Sequence, residues 1–194
     1  GLRRSKNRDQ FELTSMWAVR PRDIQRAMLD VDPQIVHFSG HGTGDEGLVL
    51  EDEVGRPKLI EGQALARLFD LFSDRLECVV LNGCYSEVQA RSISQYIKSV
   101  IGMTQAIGDE AAIAFSVGFY DALGAGRSVA FAYEFGCSAI AMEGISENLR
   151  PVLIQELDDQ QNTPKPSSQS QPPSQHEKQK IELFLSYSHR DEVL

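Results

Sequence analysis

Two apolar runs, Ile35-Val36-His37-Phe38-Ser39 and Cys78-Val79-Val80-Leu81-Asn82, each stop abruptly at a glycine. A short apolar run rich in β-branched residues and bounded by glycine reads as a strand buried on both faces, the kind a parallel sheet requires. Around them the pattern alternates. Strands are expected near 11–19, 35–39 and 76–82, with amphipathic helices near 21–30 and 61–73, which is the signature of βαβ units. In such a sheet ligands bind in the crevice outside the carboxyl ends of the strands. His41, held between Gly40 and Gly42, and Cys84, following Gly83, would both lie there as a base beside a nucleophile.

Further elements follow from the same reasoning. Leu48-Val49-Leu50 and Leu59-Ile60, with Gly55 and Pro57 between them, suggest an antiparallel hairpin inserted after the histidine. Ser86 followed by Gln89 matches the reciprocal capping pattern, so a helix is expected to start directly after Cys84. A short strand near 100–104 then leads to Ala-rich helices near 109–123 and 127–142. Phe115, Phe119 and Leu123 form one apolar stripe, and Phe131, Phe135, Ala139 and Met142 form another; both are expected in the core.

Composition narrows the function. With 194 residues and 41% hydrophobic content the chain can bury a core, and a net charge of −9 opposes a nucleic-acid surface. No apolar stretch reaches membrane-spanning length, so no membrane role is expected. Three cysteines without a CxxC pattern fit a reducing, cytoplasmic setting with free thiols. The opening at Gly1 fits a fragment of a longer protein. From 158 to 180 the chain is rich in Pro, Gln and Ser and lacks aliphatic residues, as a disordered linker does. Residues 181–194 begin with a strand pattern and are too few for a domain, so they are expected to be the truncated start of a second one, the alternative being an edge strand added to the first.

A cysteine attacks a carbonyl as thiolate, which a helix N-terminus or a neighbouring imidazole favours. Both are expected beside Cys84, and the backbone amides of Gly42 and Cys84 would serve as an oxyanion hole. The plain alternative for a lone cysteine is a small buried hydrophobe. Cys78 and Cys137 fit that description, and His37 fits a hydrogen-bonded core histidine. The acids Asp45, Glu46, Glu51, Asp52 and Glu53 offer a competing reading, a metal-assisted hydrolase, but their spacing crosses a loop and a strand.

The motifs His37-Phe38-Ser39-Gly40-His41-Gly42, Gly47-Leu48-Val49-Leu50-Glu51-Asp52 and Leu81-Asn82-Gly83-Cys84-Tyr85-Ser86 resemble those of CHAT domains. Gly108-Asp109-Glu110-Ala111-Ala112 and Phe119-Tyr120-Asp121-Ala122-Leu123 are similar as well. CHAT domains are caspase-like cysteine peptidases, many of them bacterial. The resemblance implies a caspase-like αβα sandwich with a mainly parallel sheet over 1–157, a catalytic His41 and a nucleophilic Cys84. Their separation is close to the roughly 50 residues found in caspases. It implies a protein or peptide substrate, a role in signalling or defence, and no cofactor. Asn82, two residues before the cysteine, would line the substrate pocket. Asp109 would form its other wall and favour Lys or Arg, unless it serves as a helix N-cap. Family members normally begin with one more strand, so a central strand is expected to be missing here. Self-association or a partner domain is expected to order the loops, and an idle scaffold relaying partner binding is the alternative function. The tail Phe184-Leu185-Ser186-Tyr187-Ser188-His189-Arg190-Asp191-Glu192 resembles the opening of a TIR domain.

Overall fold

The computed structural model describes residues 8–40, 47–145, 151–155 and 181–187. After a 3-10 turn at Arg8–Gln10, strand β1 (Phe11–Trp17) leads to helix α1 (Pro21–Val31) and strand β2 (Ile35–Ser39). Pro21 opens α1, where its missing N–H costs nothing, and the Asp23 carboxylate accepts from the Arg20 N–H at 3.0 Å. The hairpin β3 (Leu48–Glu51) and β4 (Pro57–Ile60) follows, antiparallel as expected. Asp52 closes it by accepting from the Val54 and Arg56 amides at 2.9 and 2.8 Å. These bonds to the ionised form hold its carboxyl below the ordinary range, the Arg56 amide most.

Helix α2 (Gly62–Asp70), strand β5 (Cys78–Asn82), helix α3 (Glu87–Ile93) and strand β6 (Ser99–Met103) complete the first pass through the sheet. Helices α4 (Asp109–Gly124) and α5 (Val129–Met142) come next, then strands β7 (Pro151–Gln155) and β8 (Ile181–Tyr187). The six-stranded order is β1-β8-β2-β5-β6-β7, with only β7 antiparallel to its neighbour.

Period-2 alternation divides the sheet between two cores. Val36, Phe38, Val79, Leu81, Val100 and Phe184 face α1, α2 and α3. Ile35, Cys78, Val80, Ile101, Met103 and Leu183 face α4 and α5. The result is the three-layer αβα arrangement of a caspase-like fold, with the inserted hairpin packed by Leu48 and Leu50 into the first core.

Three features depart from expectation. β7 was not legible, because Pro151-Val152-Leu153-Ile154-Gln155 is short and opens with proline; as an edge strand it needs hydrogen bonds on one side only. The segment expected to open a second domain, Ile181–Tyr187, lies inside this sheet between β1 and β2. Its reason for being there is apolar: Leu183 and Phe184 are fully buried, one in each core. Residues 158–180 and 188–194 lie outside the described residues. The expected linker is among them.

The third departure is in α5. Phe115, Phe119 and Leu123 of α4 are buried as expected, but Phe131, Phe135 and Met142 are exposed, at 41%, 48% and 85%. The helix turns its small stripe inward, through Ala132, Gly136 and Cys137 with Ile140. Close approach explains the choice, since a Cβ at Gly136 would stand 2.7 Å from the Phe115 ring and 2.9 Å from its carbonyl oxygen. The outward Phe131 and Phe135 rings stack at 6.1 Å, with the Arg127 guanidinium 3.9 Å from the Phe131 centroid. Gly136→Ala is therefore expected to lower unfolding free energy by about 1–3 kcal/mol, the cost of overpacking a tight contact. Chemical denaturation of the two proteins checks this.

Candidate active site at the carboxyl ends of β2 and β5

β2 and β5 run parallel in the register Ile35↔Cys78 through Ser39↔Asn82, so both strands end side by side. The Gly40 N–H donates to the Asn82 carbonyl at 3.4 Å and carries the alignment one residue past the ladder. His41 directly follows Gly40, and Cys84 stands two residues beyond Asn82. His41, Gly42, Asp45 and Glu46 lie outside the described residues, so the expected dyad and oxyanion hole are described from the cysteine side.

Cys84 is a free, partly buried thiol whose Sγ lies 3.9 Å from the Ile107 carbonyl oxygen. Its turn is unusually constrained. Tyr85 adopts a left-handed conformation, φ 56°, and its N–H donates to the Gln105 carbonyl at 3.2 Å. Ser86, fully buried, donates its hydroxyl to the Leu81 carbonyl at 2.7 Å and accepts from the Met103 N–H at 3.0 Å. The capping pattern expected for Ser86 and Gln89 is thus not formed: the hydroxyl braces β5 against β6 instead of bonding to α3. Gly102 makes room for this brace, because a Cβ there would lie 2.8 Å from the Ala90 Cβ and 3.0 Å from the Ser86 carbonyl oxygen.

The structure brings the segment 105–109 against the cysteine turn through the Gln105 and Ile107 carbonyls. Asp109 is exposed at the first position of α4, and Gly108, not Asp109, is the N-cap. A carboxylate there favours the helix dipole without capping it. Asn82 is buried; its amide donates to the Ala112 carbonyl at 3.3 Å and the Ser116 hydroxyl at 3.2 Å. Its Oδ1 has no hydrogen-bond partner among the described residues. The donor end of Asn82 therefore joins β5 to α4.

Of the acids behind the competing metal reading, Asp52 closes the hairpin and Glu53 pairs with Arg20 at 2.8 Å. Among the described residues no cluster of three His, Cys, Asp or Glu side chains could hold an ion. His37 is buried against α4, its Nδ1 2.7 Å from the Tyr120 hydroxyl, and burial lowers its pKa to about 4. Sequence reasoning identified the residue type at this core position but not the tyrosine, which is 83 residues away. Nor did it find the Ser86 bridge to Met103, since no local spacing signals a contact between two strands.

A family model described as CHAT domain matches residues 4–134. This chain belongs to the CHAT domain family. The CHAT domain is 26% identical over 129 residues to a protein named Roc-COR-CHAT protease from an unknown prokaryotic organism. It is 24% identical over 124 residues to a probable protease of Gillisia limnaea. Each alignment covers 63% of this chain, but only 12% and 22% of those two longer proteins. Both of those longer proteins carry protease in their names. Among its described residues no helix is long and apolar enough to cross a membrane.

The three thiols differ in environment. Cys78 is buried and desolvation pushes its pKa up to about 12, and Cys137 is buried in α5. Brief alkylation of the folded protein is expected to modify Cys84 alone; peptide mapping by mass spectrometry checks it. His37 generates a pH dependence. Its folded pKa of about 4 lies below the unfolded 6.5, so on acidification the unfolded chain takes the proton first. Stability should fall from about pH 6.5 down to pH 4 by up to roughly 3 kcal/mol, and His37→Gln should flatten that slope in denaturation curves.

Proposed function

We propose that this domain is a cysteine endopeptidase in which Cys84 attacks the scissile carbonyl and His41 serves as its base. The observation that supports this most is the side-by-side ending of β2 and β5, with Gly40 bonded to Asn82, immediately before the two residues. His41 takes the Sγ proton, and the thiolate forms a bond to the carbonyl carbon. The Gly42 and Cys84 amides would receive the developing oxyanion. As the C–N bond breaks, the imidazolium passes its proton to the leaving nitrogen. Water then adds to the thioester with His41 as base, the C–S bond breaks, and the acid product leaves while the thiol regains a proton.

Asn82 Oδ1 and the exposed Asp109 are proposed to line the pocket for the residue before the cut. The exposed Asp109 carboxylate is an acceptor for which a Lys or Arg side chain is the best match. The relatives are several times longer than this chain, which supports a peptidase module within a larger signalling or defence protein.

An electrophilic peptide probe on the full chain tests the reading. Cys84→Ala is expected to abolish labelling and cleavage of a peptide library, and His41→Ala to slow both by about 10²–10⁴-fold. Asp109→Asn should reduce the preference for Lys or Arg by roughly tenfold, the scale of one charge-assisted contact. Unchanged cleavage by Cys84→Ala protein would eliminate the proposal. Partner binding without any labelling of folded wild-type protein would favour the scaffold alternative.

A further inference from the structure

Helix α5 is apolar on every side. Of its 14 residues only Glu134 carries a charge, whereas α1 turns Arg22, Arg26 and Asp30 to solvent. A helix of that composition is one that is covered all round, yet only the face bearing Ala132, Cys137 and Ile140 is packed into the core. The opposite face is a stripe of Phe131, Phe135, Ser138 and Met142, all exposed. Steps of four, three and four residues are the spacing by which one helix meets another along a seam, here over about 17 Å.

The stripe is ordered before anything meets it. The Phe131 and Phe135 rings lie at an interplanar angle of 18°, and the Arg127 guanidinium stacks over Phe131. Groups held in this way lose little freedom on contact, and aromatic, Met and Arg side chains are those enriched at the cores of protein interfaces. Charge then selects the partner. Exposed Arg127 stands just before the Ser128 N-cap of α5, where a cation opposes the helix dipole, and exposed Glu143 is the C-cap, where an anion opposes it. Each charge is misplaced for its own helix and well placed for the opposite end of an identical one.

We propose that the outer face of α5 is a self-association surface, on which a second copy of this chain packs its own α5 antiparallel about a two-fold axis. With the axis between Phe135 and Ser138, Phe131 meets the second copy's Met142 and Phe135 meets its Ser138, large against small. Arg127 then stands within one helical turn of the second copy's Glu143 and of the C-terminal carbonyls of its helix. A parallel arrangement would set arginine against arginine and glutamate against glutamate. Four stripe positions per copy make a contact smaller than the roughly 800 Å² per partner of a standard interface, so the pair is weak, with a dissociation constant on the order of 10–100 μM. The pairing uses no residue of the proposed catalytic dyad and stands or falls apart from it.

Sedimentation velocity of the full chain tests this, over concentrations from roughly a tenth to ten times that constant. The weight-average sedimentation coefficient of the wild-type chain is expected to rise with concentration toward that of a dimer. Phe135→Glu alters an exposed side chain, so it should keep the circular dichroism spectrum while raising the dissociation constant by about tenfold or more. Arg127→Glu and Glu143→Arg should each weaken the pair, and the chain carrying both should recover most of the loss, as only an antiparallel pair of identical helices allows. A wild-type chain that stays monomeric throughout, which is what cover by another segment or by a different protein would give, overturns the proposal. A dimer that survives Phe135→Glu overturns it too, having formed on another face, and so does a double charge variant that associates no better than the single ones. If Phe135→Glu does not fold, the three charge variants decide alone.

Discussion

The parallel pairing of β2 with β5 is the constraint on which the site depends, because it decides where two distant segments of chain come to an end. Five register pairs, from Ile35↔Cys78 to Ser39↔Asn82, leave no freedom of one residue. A slip would turn Val36 and Phe38 away from the α1–α3 core and carry His37 off Tyr120. The buried alternation therefore fixes the ends of both strands, and the glycines that follow release the chain there.

Around that alignment the cysteine turn is built like a clamp. Ser86 connects Leu81 on β5 to Met103 on β6, Tyr85 accepts a left-handed backbone in exchange for the Gln105 hydrogen bond, and Gly102 lets α3 press against the sheet. Backbone strain at a non-glycine residue persists only where the surroundings over-determine it, and here buried hydrogen bonds do so. Cys84 stands directly before this turn and is held in place with it. On the other face Asn82 uses its donors on α4, bonding to the Ala112 carbonyl and the Ser116 hydroxyl.

Much of this was legible in the residues. Apolar runs ending in glycine gave β2 and β5, and the proline-opened pattern gave α1; the helical stripe of Phe115, Phe119 and Leu123 gave the buried face of α4. α5 was harder, since it is apolar on two sides and periodicity cannot say which one turns inward. Close packing against α4 selected the small residues and left Phe131 and Phe135 outside. Ser86 was misread for a similar reason: a capping pattern is a local preference, and two backbone partners on neighbouring strands outcompeted it.

The sequence by itself determined the alternation of strands and helices, the hairpin after β2, and the placing of His41 and Cys84 just past buried strands, because periodicity and glycine act over a few residues. Only the tertiary structure decided the strand order, the bridges from Ser86 and Asn82, and the entry of Ile181–Tyr187 between β1 and β2. Those depend on which surfaces meet after long loops close, and two apolar side chains that would fit many cores carry no address in the chain itself.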